Sequence, residues 1–349
     1  MKTVYIGTYT RNEGFVNGQG KGIYYMLQNP TDGKLEMGDV VAKVENPSYV
    51  KVSKDGRYLF AVSELVSSEA KSGGIFSFKI NPDKSLTKIN NLPTNGFAPC
   101  HIAIDKTGRY LFVANYVGGV VMVYKIADSG ELHSLQKLEF ENPNKSHTHS
   151  VNIAPDNKHV YINDLGNDKI WIYRMNAERE GLTLKLEAHT DFEKGAGPRH
   201  FSFSKNGDFG YSVNELNNTV TAFKIEKDGS LSKLQGISTL PKGFEGKNSA
   251  AEIRIGHFGK YLYASNRGNN SIVTYKIDQD SGKLALQDFT STEGEMPRFF
   301  TISADGTYLY AGNQDSDSIV VFQIEKSTGK LTRIQDIEAP TPVCMNFMG

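Results

Sequence analysis

Residues 195–216 read GAGPRHFSFSKNGDFGYSVNEL. Two apolar runs flank a Lys-Asn-Gly-Asp turn, the pattern of a β-hairpin. Apolar positions recur with a period of two, and a helical period is absent. The open ends of the hairpin carry Pro-Arg-His on one side and Asn-Glu on the other. An arginine, a histidine and a glutamate at one end of a hairpin make it a candidate for chemistry as well as structure.

The hairpin recurs along the chain. Aligned on the turn residues Gly56, Gly108, Asn157, Gly207, Gly259 and Gly306, its copies are spaced 52, 49, 50, 52 and 47 residues apart. Each unit has an apolar strand, a turn, and a second strand such as YLFAVSE, YLFVANY or YLYASNR. A third strand follows (GGVVMVYKI, NSIVTYKI), then a weaker fourth (GSLSKL, GKLTRI). Four short strands in about 50 residues are the mark of a β-propeller blade. The ends complete the count. The tail APTPVCMNFMG reads as a first strand with nothing after it, and the head MKTVYIGTYT reads as a second. The expectation is an all-β, seven-bladed β-propeller with four antiparallel strands per blade. One domain spans 1–349, and one blade shared between the N- and C-termini closes the ring and removes the open edge.

Composition narrows the function classes. Lys plus Arg and Asp plus Glu both number 39 in 349 residues. A nucleic-acid binder would normally show a basic excess. Cys100 and Cys344 are the two cysteines, too few for a disulfide framework or a CxxC site. No signal-peptide core or membrane-length apolar run is present. These features lead to the expectation of a cytoplasmic protein without nucleic-acid or membrane partners, and since a closed propeller is stable alone, a monomer is expected. No P-loop, GxGxxG, GxSxG or HExxH motif occurs. The two histidines of SHTHS (146–150) have no evident further metal ligands, so neither metal nor cofactor is expected.

In a propeller blade the first strand lines the channel and the second runs back beside it. The start of the first and the end of the second therefore share one mouth. Seven residues after each turn lies the column Ser63, Asn115, Asp164, Asn214, Asn266, Asn313, with Thr8 from the head. Asn and Asp bonding their own turns explain most of this column. The next column is Glu64, Tyr116, Leu165, Glu215, Arg267, Gln314, with Tyr9. Eight and seven residues before the turns lie Ser48, Cys100, His149, Arg199, Ala251, Arg298 and Tyr49, His101, Ser150, His200, Glu252, Phe299. Five before lie Lys51, Ala103, Asn152, Ser202, Arg254, Thr301. Catalytic residues should differ from blade to blade, which singles out His149, Arg199, Glu215, Arg254, Arg267 and Arg298. His101, His200, Asn214, Glu252 and Asp164 are further candidates for substrate contacts. The Gly-rich loops 11–20 and 241–248 interrupt the repeat, and Glu13 or Lys247 would reach a ligand if these loops cover the mouth.

GPRHFSFSKNGDFGYSVNEL, AAEIRIGHFGKYLYASNRGNNSI and MPRFFTISADGTYLYAGNQDSDSI closely resemble the bacterial seven-bladed propeller lactonases, the cycloisomerase-like form of 6-phosphogluconolactonase. PCHIAIDKTGRYLFVANYVGG and SHTHSVNIAPDNKHVYINDLGND match as well, so the resemblance covers essentially the whole chain. It implies hydrolysis of 6-phospho-D-glucono-1,5-lactone to 6-phosphogluconate. A fungal relative of this fold, carboxy-cis,cis-muconate cyclase, has a proposed His, Arg, Glu, Arg set. The first three fall on His149, Arg199 and Glu215, and the fourth falls on Arg267 or Arg254. The chain departs from the usual turn at Asn157 and at His257–Gly259, both away from the expected mouth.

Lactone hydrolysis needs an activated water, a stabilised oxyanion and a proton for the leaving ring oxygen. Glu215 is expected to act as base, with His149 shuttling the proton or serving as base in its place. Arg199 would stabilise the oxyanion. Arg254, Arg267 and Arg298 would hold the phosphate of a phosphorylated sugar lactone. Rival functions are hydrolysis or cyclisation of another sugar or muconate-type lactone, and a binding propeller without chemistry. The last would show exposed aromatics around its rim.

Overall fold

The computed structural model describes residues 1–66, 72–178 and 181–348. Among these residues 28 strands, from β1 (Lys2–Thr8) to β28 (Pro342–Phe347), form seven four-stranded antiparallel sheets. Six sheets are built from four consecutive strands each. The seventh has the order β28-β1-β2-β3, with β2 at Ile23–Gln28 and β3 at Leu35–Ala42. Tyr5 pairs with Asn346 and Ile6 with Met345, so head and tail share a blade as expected.

The innermost strands are β4 (Val50–Val52), β8 (Phe97–Ile104), β12 (Thr148–Ile153), β16 (Pro198–Phe203), β20 (Ser249–Ile255), β24 (Pro297–Ile302) and β28. Each packs against the innermost strand of the next blade. The chain turns at the predicted positions with left-handed backbone, φ 72° at Gly56 and 82° at Gly207. Asn157 has φ 57°, a conformation that Asn tolerates better than most residues.

Sequence periodicity explains how the blades stack. Both faces of a middle strand meet a neighbouring blade, so Tyr58–Ser63 and Tyr308–Asn313 are buried throughout. The fourth strands alternate, as in Leu182–Asp191, because one face meets water. Seven apolar clusters fill the seven inter-blade spaces. Buried tyrosines tie the blades together through their hydroxyls. Tyr161 donates to Gly229 O, Tyr211 to Gly282 O, Tyr263 to Gly329 O and Tyr310 to Gly33 O, at 2.6–3.0 Å. A buried phenol requires such a partner, which gives many of the tyrosines a structural role.

Candidate active site in the channel

A shared irregularity of the innermost strands sets the geometry of the site. Pro198 pairs with Asn214 and His200 with Val213, leaving Arg199 unpaired as a β-bulge. The same shift leaves Cys100, His149, Arg298 and Val343 unpaired in their blades. These are the residues eight before the turn. A bulge inserts one residue and re-aims the side chains around it. Arg199 and its neighbour His200 can therefore both line the channel, which strict alternation forbids.

At the mouth lies a chamber of about 450 Å³ lined by Glu64, Tyr116, His149, Glu215, Arg267 and Arg298, with Cys100 and Phe15. Glu215 is its centre of charge. Its Oε2 lies 2.8 Å from Arg199 Nε and 2.9 Å from Arg267 Nη2. Arg199 also donates to Ala251 O at 2.6 Å, and Arg267 to Ser249 O and Ala250 O. Both arginines are nearly buried, so their guanidiniums are fixed. Across the mouth, Arg298 lies 3.8 Å from Glu64 and 5.6 Å above the Tyr9 ring. Glu64 accepts hydrogen bonds from Tyr9, at 2.8 Å, and from Ser48.

Burial opposes ionisation of Glu215, but Arg267, Arg199 and Arg298 outweigh it and hold its carboxyl below the usual range. Burial, then Arg267, pulls Arg199 down to about 10, still charged at neutral pH. Burial, reinforced by Arg199, pushes His149 well below the usual imidazole value. His149 is therefore neutral at pH 7, and its buried Nδ1 has no hydrogen-bond partner.

Below the mouth the channel narrows to a waist of about 20 Å³, lined by Arg199, His200, Glu252 and Arg298 among others. That is room for about one water. Aromatic rings cross it in a belt. Tyr49 and His101 have ring centroids 4.6 Å apart, His101 and His200 5.4 Å, and His200 and His149 5.0 Å. His101 contacts Tyr49 Oη at 3.2 Å through Nε2, and His200 contacts Glu252 at 3.0 Å through Nδ1. Burial holds both imidazoles below their usual pKa.

The sequence-predicted residues thus separate. Glu215, His149, Arg199, Arg267 and Arg298 gather at the mouth. His200 and Glu252 form the waist, and His101 lies on its far side. Arg254 lines the waist with Arg298 and the chamber beyond it, 3.5 Å from Glu252, and does not line the mouth chamber with Arg267. The expectation that three arginines share one phosphate therefore does not fit the geometry, because Arg254 sits three residues further along its strand than the bulge. Asn214 and Asp164 are also away from the mouth chamber. Asn214 donates to Thr219 and Thr221, and Asp164 accepts from Ser146, His147 N, Asn167 and Trp171. Both hold the ends of second strands, as the rest of their column does.

Glu64 and Tyr116, which share the column of Glu215, also line the chamber, and Tyr9 of the same column holds Glu64. Loop 11–20 does reach the mouth, through Phe15 and not Glu13. Glu13 is taken by Asn46, at 2.6 Å, and Arg11. Phe15 packs edge-on to Tyr9 and remains 53% exposed, next to the chamber it lines. Lys247 does not line the chamber. The histidines of SHTHS diverge: His147 bonds Tyr116 O and stacks on its ring, while His149 enters the chamber. Among the described residues no three His, Cys, Asp or Glu side chains converge as a metal site would need, and no helix is long and apolar enough to cross a membrane.

Comparison with known proteins agrees with this architecture. A 6-phosphogluconolactonase of Bacillus subtilis is 30% identical, over 99% of this chain and 97% of its own. A protein of the same name from Formosa agariphila is 32% identical, over 87% of each chain. The structure of a Pseudomonas aeruginosa periplasmic gluconolactonase superposes with a TM-score of 0.91 at 32% identity, covering 99% of this chain and 98% of that one. The model of the seven-bladed β-propeller lactonases matches residues 3–347. The chain belongs to that lactonase family.

Proposed function

We propose that this lactonase hydrolyses 6-phospho-D-glucono-1,5-lactone to 6-phosphogluconate, a step of the pentose phosphate pathway. The carrying observation is the charge of the mouth. Arg199, Arg267 and Arg298 face Glu215 and Glu64, three cations against two carboxylates, while His149 is neutral. One positive charge is left unmatched in a partly dry chamber, which suits an anionic substrate. The names of the relatives from Bacillus subtilis and Formosa agariphila support the same substrate.

In this scheme Arg298 and Arg267 take the phosphate, since guanidinium matches phosphate oxygens bidentately. Arg199 stabilises the oxyanion that forms as water adds to the lactone carbonyl. His149 accepts the water's proton and returns it to the ring oxygen as the carbon–oxygen bond breaks. Glu215 aligns Arg199 and Arg267, whose charges depress its basicity and leave it the weaker base. A bound dianionic phosphate offsets the arginine charges around His149, so its basicity rises when substrate is present. The buried, unpaired Cys100 and Cys344 are consistent with a reducing cytoplasm.

The test is hydrolysis by purified protein, above the spontaneous rate, of the 6-phosphorylated lactone and of glucono-1,5-lactone. Preference for the phosphorylated form, largely lost in Arg298→Met, is the expected result. Equal rates on both, unchanged by Arg298→Met, would move the substrate to an unphosphorylated lactone, as in the name of the Pseudomonas aeruginosa enzyme. The profile of kcat/KM against pH should be level near pH 7–8 and fall on acidification with an inflection below the ordinary imidazole value of 6.5.

A further inference from the structure

Beyond the waist the channel opens again, into a chamber of about 320 Å³ lined by Tyr49, Lys51, His101, Ser202, Glu252 and Arg254. Its volume is at the lower end for small-molecule sites, about 300–1,000 Å³. Lys51, Asn152, Ser202 and Arg254 all stand five residues before their turns, so four innermost strands deliver polar groups to one level of the channel. The apolar side chains that alternate with them, including Ile102, Val151, Phe201 and Ile253, are buried in the inter-blade cores.

The charges of this chamber do not balance. Glu252 is its one carboxylate. It is engaged by His200 at 3.0 Å and by the backbone N–H of Ile253 at 3.0 Å, and Arg254 reaches it at 3.5 Å. Arg254 also donates to Phe300 O at 3.2 Å. Among the described residues Lys51 makes no ion pair. Burial, with Arg254 nearby, lowers its pKa, so the ammonium is held in a place that disfavours its charge. An anion placed between Lys51 and Arg254 would relieve both effects.

We propose that this lower chamber is a second anion site, distinct from the lactone site at the mouth. It takes a small tetrahedral oxyanion, either free phosphate or the phosphoryl group of a sugar phosphate, between Lys51 and Arg254, with the Ser202 hydroxyl in the same wall. Both cations are held inside the channel, where a charge-assisted contact is screened less than on the outer surface. Arg254, Glu252, His200 and Arg199 form a line of polar contacts through the waist, at 3.5, 3.0 and 3.4 Å. Occupancy of the lower chamber would therefore be felt at the oxyanion arginine.

Titration calorimetry with inorganic phosphate and with glucose 6-phosphate tests the site without any turnover. Wild type should bind at two sites. Lys51→Met should weaken one of them about tenfold or more, the loss expected for a charge-assisted hydrogen bond. Lys51→Arg should retain it, and Arg298→Met should weaken only the other. Tight binding of both probes identifies free phosphate as sufficient; binding of glucose 6-phosphate alone identifies the sugar phosphate. Phosphate binding untouched by Lys51→Met in a protein that melts as wild type does, or abolished entirely by Arg298→Met, would overturn the proposal. The first result would leave the proposed function at the mouth untouched, and the second would place all phosphate binding at the mouth.

Discussion

Replacing Glu215 by Gln removes one charge and almost no volume, so its effect reports the electrostatics of the mouth. In the wild type the Glu215 carboxylate faces two arginines at 2.8 and 2.9 Å, whose side chains are 3% and 6% exposed. Without it, Arg199, Arg267 and Arg298 face Glu64 alone. Breaking a buried ion pair from one side costs about 3–5 kcal/mol. The lower figure applies here, because both arginines keep backbone carbonyl partners. Unfolding entropy of about 2.1 cal/mol/K per residue over 349 residues is roughly 0.7 kcal/mol/K, so about 3 kcal/mol should lower Tm by about 4 °C. The gap depends on pH in a defined sense. The folded-state pKa of Glu215 lies below its ordinary 4.5, so its contribution is complete above 4.5 and is lost as pH falls through the folded value. Differential scanning calorimetry at pH 7 and at pH 4 or below should show the Tm gap open and then closing. Phosphate should restore part of the loss at pH 7 by supplying the missing negative charge. A Glu215→Gln protein as stable as wild type at pH 7, or a gap that widens in acid, would refute the ion-pair cluster as described.

Other expectations follow from the same geometry. Arg199→Ala should lower kcat for lactone hydrolysis about 10²- to 10³-fold, as for loss of an oxyanion donor; full turnover would remove Arg199 from the chemistry. Phe15→Ala should raise KM about fivefold through loss of about 1 kcal/mol of apolar contact at the mouth, with kcat little changed. An equal fall in kcat and kcat/KM would instead place Phe15 in the transition state. Asn266→Ala should destabilise by about 1–3 kcal/mol, because Asn266 donates to Thr239 O at 2.6 Å in a fully buried place. Thermal melting should register this loss while KM stays at the wild-type value.

The architecture was legible because its determinants are local. The turn residues recur at nearly constant spacing, the alternation is two, and the half-blade at each end has one complement. Asn157 could be aligned with glycines because Asn accepts a left-handed backbone, and φ 57° shows why it occupies a turn position. The Asn column was also readable as structural, and its members Asn115, Asn266 and Asn313 each donate to a backbone carbonyl. Selecting Asn214 and Asp164 from that column as substrate contacts ran against the column's own logic. Their charge or position suggested the site, but Asn214 ties its second strand to the third strand of its blade, and Asp164 ties its own to the preceding loop.

The bulge was the feature that sequence alternation could not supply. Period two places Arg199 and His200 on opposite faces, yet both line the waist. One mark of the bulge is in the sequence: Pro99, Pro198, Pro297 and Pro342 each stand one residue before the unpaired position. Proline cannot donate to the ladder and belongs at such strand starts. Depth along the channel was legible in the same way. A strand advances about 3.3 Å per residue, so the column five before the turn lies about 10 Å beyond the column eight before it. Arg254 accordingly lines the waist and the chamber beyond it, and not the mouth chamber that holds His149 and Glu215. Arg267 ends a second strand and so returns to the mouth, where it meets Glu215. Arg254 lines the waist and, with Lys51, the chamber beyond it. The channel therefore has two unmatched positive charges at two levels, and a ligand at the mouth can satisfy only one of them.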